Sequence, residues 1–202
     1  MLLEIFIILI IMAVLPVLIV IAAASVVHLL MRISPNRPFS QDLICYFKQQ
    51  KRKPALFRTW RALLGDSGMQ GLLCYRLARA FYRHRLRFFA DIVRKIMIMF
   101  TAMDISPEAE LGKGIEIFHS FGIVIGDGVV IGDRVWICQH VSVGRNYDGV
   151  PRIGNDVKIF AGARVLGGIT VGDGATIGAN AVVTSDVPAK AMVVPAKARM
   201  SE

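Results

Sequence analysis

Three hydrophobic rhythms run along this chain, and each predicts a different element. The first is unbroken: from Ile5 to Met31, 27 consecutive positions carry no Asp, Glu, Lys or Arg, whereas roughly 20 apolar residues suffice to cross the hydrocarbon core as a helix. Residues 1–34 are therefore expected to form a transmembrane anchor, kinked where Pro16 removes a backbone donor. A signal peptide would need a positive start and a shorter apolar core than a segment opening Met-Leu-Leu-Glu provides. A buried hairpin would have to hide more uncharged chain than small domains usually do. Glu4 is the only charge before the run, and Arg32, Arg37, Lys48, Lys51, Arg52 and Lys53 follow it. By the positive-inside rule the bulk of the chain is then cytoplasmic, which places the protein in the inner (cytoplasmic) membrane with a single pass.

The second rhythm is helical and falls within residues 35–100, a basic linker region opened by Pro35-Asn-Arg-Pro38. Between Leu72 and Phe100 the residues Leu73, Leu77, Phe81, Phe88, Ile92, Ile96 and Met99 recur at helical spacing and predict one apolar face. Arg76, Arg79, Arg83, Arg85, Arg87, Arg94 and Lys95 fill most of the remaining surface, opposed only by Asp91. Two readings stay open: a helix lying on anionic membrane lipids, and a helix packed on a partner subunit with a solvated basic face. Gly65, Gly68 and Gly71 separate this region from what precedes it.

The third rhythm has a period of six and occupies residues 101–202. Leu111-Gly-Lys-Gly-Ile-Glu, Ile125-Gly-Asp-Gly-Val-Val, Ile131-Gly-Asp-Arg-Val-Trp, Ile153-Gly-Asn-Asp-Val-Lys, Val171-Gly-Asp-Gly-Ala-Thr and Ile177-Gly-Ala-Asn-Ala-Val are its clearest units. Aliphatic residues open thirteen units, at 105, 111 and 117, then 125, 131, 137 and 143, then 153, 159, 165, 171, 177 and 183. Each unit predicts one short strand, three make a triangular coil, and stacked coils bury a continuous aliphatic core. The fold class is mainly β, a left-handed parallel β-helix. Glycine after the opening aliphatic is expected to permit the tight corner. The register jumps by eight from Ile117 to Ile125 and by ten from Val143 to Ile153, so loops leave the coil there.

Charge sharpens the division between the halves. Residues 1–100 carry 15 Lys and Arg against 4 Asp and Glu, and residues 101–202 carry 9 against 11, so the formal net charge of +9 belongs to the first half. A basic, apolar segment points to an anionic lipid surface, and nothing resembles a nucleic-acid-binding module. Cys45, Cys74 and Cys138 have neither metal-ligand nor Cys-x-x-Cys spacing and read as packing residues. No metal is expected. Of four histidines, His28 falls in the apolar run and His84 on the basic helix. His119 precedes the first register jump, and Asp104 lies fifteen residues upstream, close to one coil away. A carboxylate stacked there can orient an imidazole acting as a general base. His140 opens no insertion and reads as a corner residue, a reserve candidate for the base.

Asp104-Ile-Ser-Pro, His119 with Gly122-Ile-Val-Ile-Gly, Ile137-Cys-Gln with Val141-Ser-Val-Gly, Ala161-Gly-Ala-Arg-Val-Leu-Gly and Ile177-Gly-Ala-Asn-Ala-Val-Val occur in that order. Over residues 104–200 the chain thereby resembles the serine acetyltransferase family within the hexapeptide acyltransferases. The resemblance implies an acetyl-CoA-dependent O-acetyltransferase in which His119 is the general base and Asp104 its partner. It also implies a homotrimer that binds acetyl-CoA in the groove between neighbouring β-helices. Ala161, Gly162 and Ala163 would line the pantetheine channel, and Lys197 or Arg199 would meet the CoA phosphates.

The chain departs from that family at the acceptor. Phe118 stands where the family has an Asp before the catalytic His, and Gly149-Val150 where it has an Arg-His pair before the loop proline, here Pro151. Those charges hold an amino acid. The tail Met192-Val-Val-Pro-Ala-Lys-Ala-Arg is similar to that of acetyltransferases encoded with exopolysaccharide machinery, the colanic acid type. On this resemblance the acceptor is a saccharide hydroxyl at the cytoplasmic membrane face, met by Phe118, Asn146 and Tyr147. The alternative is a membrane-tethered serine O-acetyltransferase of cysteine biosynthesis.

Overall fold

The computed structural model describes residues 37–195. The expected anchor over 1–34 lies outside the described residues, as do Lys197 and Arg199. Helices come first: α1 (Pro38–Gln49), α2 (Leu56–Gly65), α3 (Ser67–Arg83) and α4 (Arg87–Thr101). Short strands then wind through three parallel sheets, the faces of a prism. The first face stacks β1 (Asp104–Ile105), β4 (Val124–Ile125), β7 (Ser142–Gly144), β10 (Arg164–Leu166) and β13 (Val182–Val183). The second stacks β2 (Glu110–Leu111), β5 (Val130–Ile131), β8 (Arg152–Ile153) and β11 (Thr170–Val171). The third stacks β3 (Glu116–Phe118), β6 (Trp136–Cys138), β9 (Lys158–Ile159), β12 (Thr176–Ile177) and β14 (Met192–Val193).

The six-residue period produces this shape because each opening aliphatic points inward and meets its counterpart one coil away. Ile105, Ile125, Val143, Val165 and Val183 form one such ladder, with Ile105 paired to Ile125 and Val143 to Val165. Each fully buried aliphatic side chain contributes about 1.5–3 kcal/mol relative to exposure, and only stacking provides that burial. Every one of the thirteen strands expected from the period is present; β14, which lacks the Gly-Asp signature, was not anticipated. The glycine after the opening aliphatic has another role than the one expected. At Gly132 a Cβ would lie 2.7 Å from the carbonyl carbon of Gly154 on the next coil, so close backbone approach requires glycine there. The left-handed residues come two positions later, as at Arg134 with φ of 56°.

The helices close the lower end of the prism. A terminal coil leaves backbone donors and acceptors unpaired along its edge, and buried groups of that kind must be satisfied. Helix α3 satisfies them from its side chains: Tyr75 Oη donates to Ala109 O at 2.8 Å and accepts from the Leu111 N–H at 3.1 Å. Arg76 donates to the carbonyls of Leu111 and Gly112. Its guanidinium also meets the Asp42 carboxylate of α1 at 3.0 Å, and Asp42 accepts the Ile115 N–H at 2.9 Å. Burial pushes the Asp42 carboxyl above its ordinary value, against the opposing pull of Arg76 and the backbone donors. Gly68 lets α3 touch β3, since a Cβ there would stand 2.8 Å from Ile117 O.

The single basic amphipathic helix expected over 72–100 is two helices, broken at His84–Leu86, where Arg85 turns left-handed with φ of 61°. The buried face carries Leu72, Tyr75, Ala78, Ala90 and Met97, while Leu77, Phe88, Ile92, Ile96 and Met99 are exposed. Leu72, Tyr75 and Met97 join the apolar core of the first coil, and the tyrosine's polar tip meets its backbone. Arg76, Arg79 and Arg94, expected among the cations facing lipid or solvent, are paired with Asp42, Glu110 and Asp104. Gly68 and Gly71 lie inside α3 rather than before it. No helix among the described residues is long and apolar enough to cross a membrane.

Asp42→Ala would strand the Arg76 cation, whose side chain is 13% exposed, against the coil edge. Chemical denaturation should report a loss of about 3–5 kcal/mol, the usual cost of removing one partner of a buried pair.

Candidate active site

The corner between the third and first faces gathers the candidate chemistry. At this corner Ala102, Gly122, His140, Gly162 and Asn180 stack from coil to coil, all left-handed, with φ between 51° and 72°. His119 is outside that column. It follows β3 in the two-residue insertion that produces the first register jump, is exposed, and has φ of 59°. A non-glycine residue in that region costs of order 1–3 kcal/mol and persists only where its surroundings fix it.

Those surroundings are specific. The Gly122 N–H donates to Ala102 O at 3.0 Å below, and the His140 N–H donates to Phe121 O at 2.8 Å above. Beside His119, the buried Ser120 hydroxyl hydrogen-bonds Ser67 Oγ at 2.8 Å, in the first turn of α3. The loop is thus held by the coils on both sides and by the helical layer. The His140 ring lies over Gly122, where a Cβ would stand 2.4 Å from Nδ1.

Asp104 opens β1 on the same corner, and its N–H donates to Ile123 O at 2.9 Å, next to the loop. Its carboxylate accepts from Arg94 Nε of α4 at 2.6 Å, with both side chains about one third exposed. That bond is the first cause raising Arg94 above its ordinary value. Among the described residues His119 makes no side-chain hydrogen bond, so Asp104 and His119 share a corner without a hydrogen bond between them.

A groove of about 410 Å³ climbs this corner from His140 past Ala161 and Gly162 to Ala179 and Asn180, with Gln139 and Arg164 on its walls. Two of the three residues expected along the pantetheine channel therefore face it. Ala163 does not: its side chain is wholly buried in the prism. Larger hollows lie under α3, near Arg76, Arg79 and Arg83, but hold no candidate base.

The expected acceptor residues divide between two corners. Phe118 is next to His119 and stacks on Trp136 with ring centroids 5.4 Å apart. Trp136 in turn donates to Glu116 Oε1 at 3.1 Å and carries Lys158 Nζ 4.6 Å above its ring. Burial pushes the Glu116 carboxyl up. Asn146 and Tyr147 belong to the loop between β7 and β8, at the opposite edge of the first face, where Tyr147 is fully exposed. Among the described residues no cluster of three or more His, Cys, Asp or Glu could hold a metal ion.

Residues 151–185 match the family model described as bacterial transferase hexapeptide (six repeats). Helicobacter pylori serine acetyltransferase is 43% identical over 150 residues, covering 72% of this chain and 88% of the relative. Soybean serine acetyltransferase complexed with serine superposes with a TM-score of 0.70 at 35% identity, over 80% of this chain and 67% of that one. The Neisseria gonorrhoeae serine acetyltransferase in complex with serine gives 0.72 at 30% identity, over 81% and 67%. The similar proteins are thus named for serine, not for an exopolysaccharide acceptor. Together with the absence of a membrane-crossing helix among the described residues, they overturn the expected inner-membrane location.

Gly122→Ala would impose a left-handed alanine and press a methyl group on the His140 ring. Thermal melts should show a loss of about 1–2 kcal/mol, whereas Gly126→Ala, which meets only ordinary contacts from 3.5 Å, should stay within about 1 kcal/mol of wild type.

Proposed function

Because the chain belongs to the serine acetyltransferase family, we propose that it transfers acetyl from acetyl-CoA to the hydroxyl of L-serine, with His119 as general base. It is an O-acetyltransferase, and acetyl-CoA is its co-substrate. One observation supports the residue assignment: His119 stands exposed on an inserted loop whose Phe121 carbonyl accepts the N–H of His140, the residue at which the groove of Ala161 and Gly162 begins. The imidazole takes the acceptor hydroxyl proton as that oxygen attacks the thioester carbonyl carbon. The C–S bond then breaks, and the departing thiolate recovers the proton from the imidazolium. Asp104, on the same corner, supplies the countercharge and orientation. Lys197 and Arg199 are assigned to the CoA phosphates on the family resemblance alone.

The active unit we propose is a homotrimer. His119 and the Asn146–Tyr147 loop occupy opposite edges of the first face of one protomer. A threefold arrangement with the first faces inward brings each His119 corner against a neighbour's loop. Arg145 and Asp148 on that loop form no ion pair among the described residues. They offer the acceptor's carboxylate and ammonium the partners that Phe118, Gly149 and Val150 do not.

A saccharide hydroxyl is the second reading, favoured by the apolar platform of Phe118 on Trp136 beside the base. Thiol release from acetyl-CoA separates the two. L-serine should support turnover and nucleotide sugars should not; the reverse result transfers the assignment to a sugar. His119→Ala should lower transfer by about two to four orders of magnitude while acetyl-CoA binding by calorimetry is unchanged. Near-wild-type turnover in that variant would remove His119 as the base.

A further inference from the structure

We propose that Arg94 is a positioning residue of the active site, holding the Asp104 carboxylate where the His119 imidazole can use it. The inference deepens the reading above and rests on it. Arg94 lies on α4 and donates from Nε to Asp104 Oδ1 at 2.6 Å, a charge-assisted bond of the strong kind. That bond fixes the carboxylate's rotation by one oxygen. Among the described residues Oδ2 accepts no hydrogen bond, so it remains for the imidazole.

The chain between Arg94 and Asp104 has little freedom to alter this arrangement. Thr101 Oγ1 donates to Met97 O at 2.7 Å, and Ala102 closes α4 with its N–H on Ile98 O at 3.0 Å. Met103 is wholly buried against Gly71, where any Cβ would overlap its methyl group. The carbonyl of the same Ala102 accepts the Gly122 N–H of the catalytic loop. Arg94, Asp104 and His119 are therefore all referenced to one rigid turn, residues 101–103.

Other charged groups do not account for Arg94. Asp91 on α4 and Asp127 on the turn after β4 act on it more weakly than Asp104 does, and Arg87 is engaged over the Tyr82 ring. A cation serving only to dock α4 on the first coil would act independently of Asp104, and that difference can be measured.

The test is a double-mutant cycle on the full chain, following thiol release with L-serine, or with the sugar nucleotide that replaces it. Arg94→Met should lower kcat about tenfold, the scale of a modestly misplaced catalytic group, with KM for acetyl-CoA unchanged. In an Asp104→Asn background the same substitution should change kcat by less than about twofold, because coupled residues are not additive. Should Arg94→Met fail to fold, Arg94→Lys completes the cycle, with a loss confined to the wild-type background. An equal loss in both backgrounds, or none while Asp104→Asn is impaired, would overturn the role of Arg94 alone. Wild-type kcat in Asp104→Asn would defeat the reading of Asp104, and this inference with it.

Discussion

A coil of three short strands cannot bury its own aliphatic residues, and this constraint governs the molecule. Stacking answers it in the middle of the prism but leaves the first coil with an open edge of backbone groups. Tyr75 and Arg76 answer it there, pairing with Ala109, Leu111 and Gly112, while Asp42 neutralises the arginine and caps Ile115. The helical layer is thus part of the β-helix's hydrogen bonding rather than an appendage. Its position against the first coil also decides where α4 ends and β1 begins, and so where Asp104 stands.

The same constraint explains why the chemistry sits at a corner. Inward positions along the strands belong to the core, and on the second face the glycines after them, Gly112, Gly132, Gly154 and Gly172, are fixed by the approach of the next coil. Corners are freer. Their left-handed column accepts alanine, glycine, histidine or asparagine without altering the ladder, and extra residues can leave the coil there without shifting its register. His119 occupies such an insertion. Its loop is held by Ala102, His140 and Ser67, each from a different layer, which is what the proposed role of a base meeting both a thioester and an acceptor requires.

What the sequence made legible was the periodic part. The six-residue period located every coil strand but the last, because an inward aliphatic leaves the same mark wherever it stacks. The inserted loops were equally visible as breaks in that period. The helices were read less well. Their apolar stripe through Leu77, Phe88, Ile92 and Ile96, expected to face lipid or a partner subunit, is exposed, while Leu72 and Tyr75 join the core of the first coil. Arg94 was counted among surface cations; nothing in a ten-residue separation across a helix end reveals that it meets Asp104. Ala163 was misplaced by a single position, which in a structure alternating inward and outward residues is the difference between groove and core.

Acceptor choice is where period and corner logic stop and local charge takes over. Where the resembled family has an acid and a basic pair, this chain has Phe118, its ring against Trp136, and Gly149-Val150, so an amino-acid acceptor would have its charges met elsewhere. The loop from β7 to β8 still carries one charge of each sign, at Arg145 and Asp148, on either side of Asn146 and Tyr147. That loop lies at the far edge of the first face from His119. On the proposed reading a zwitterionic acceptor draws on that loop from a second copy of the chain, whereas a neutral sugar would use the Phe118–Trp136 pair of one protomer. Specificity and assembly are in this sense one question: in the proposed homotrimer, the geometry that completes the acceptor site is the geometry that closes the assembly.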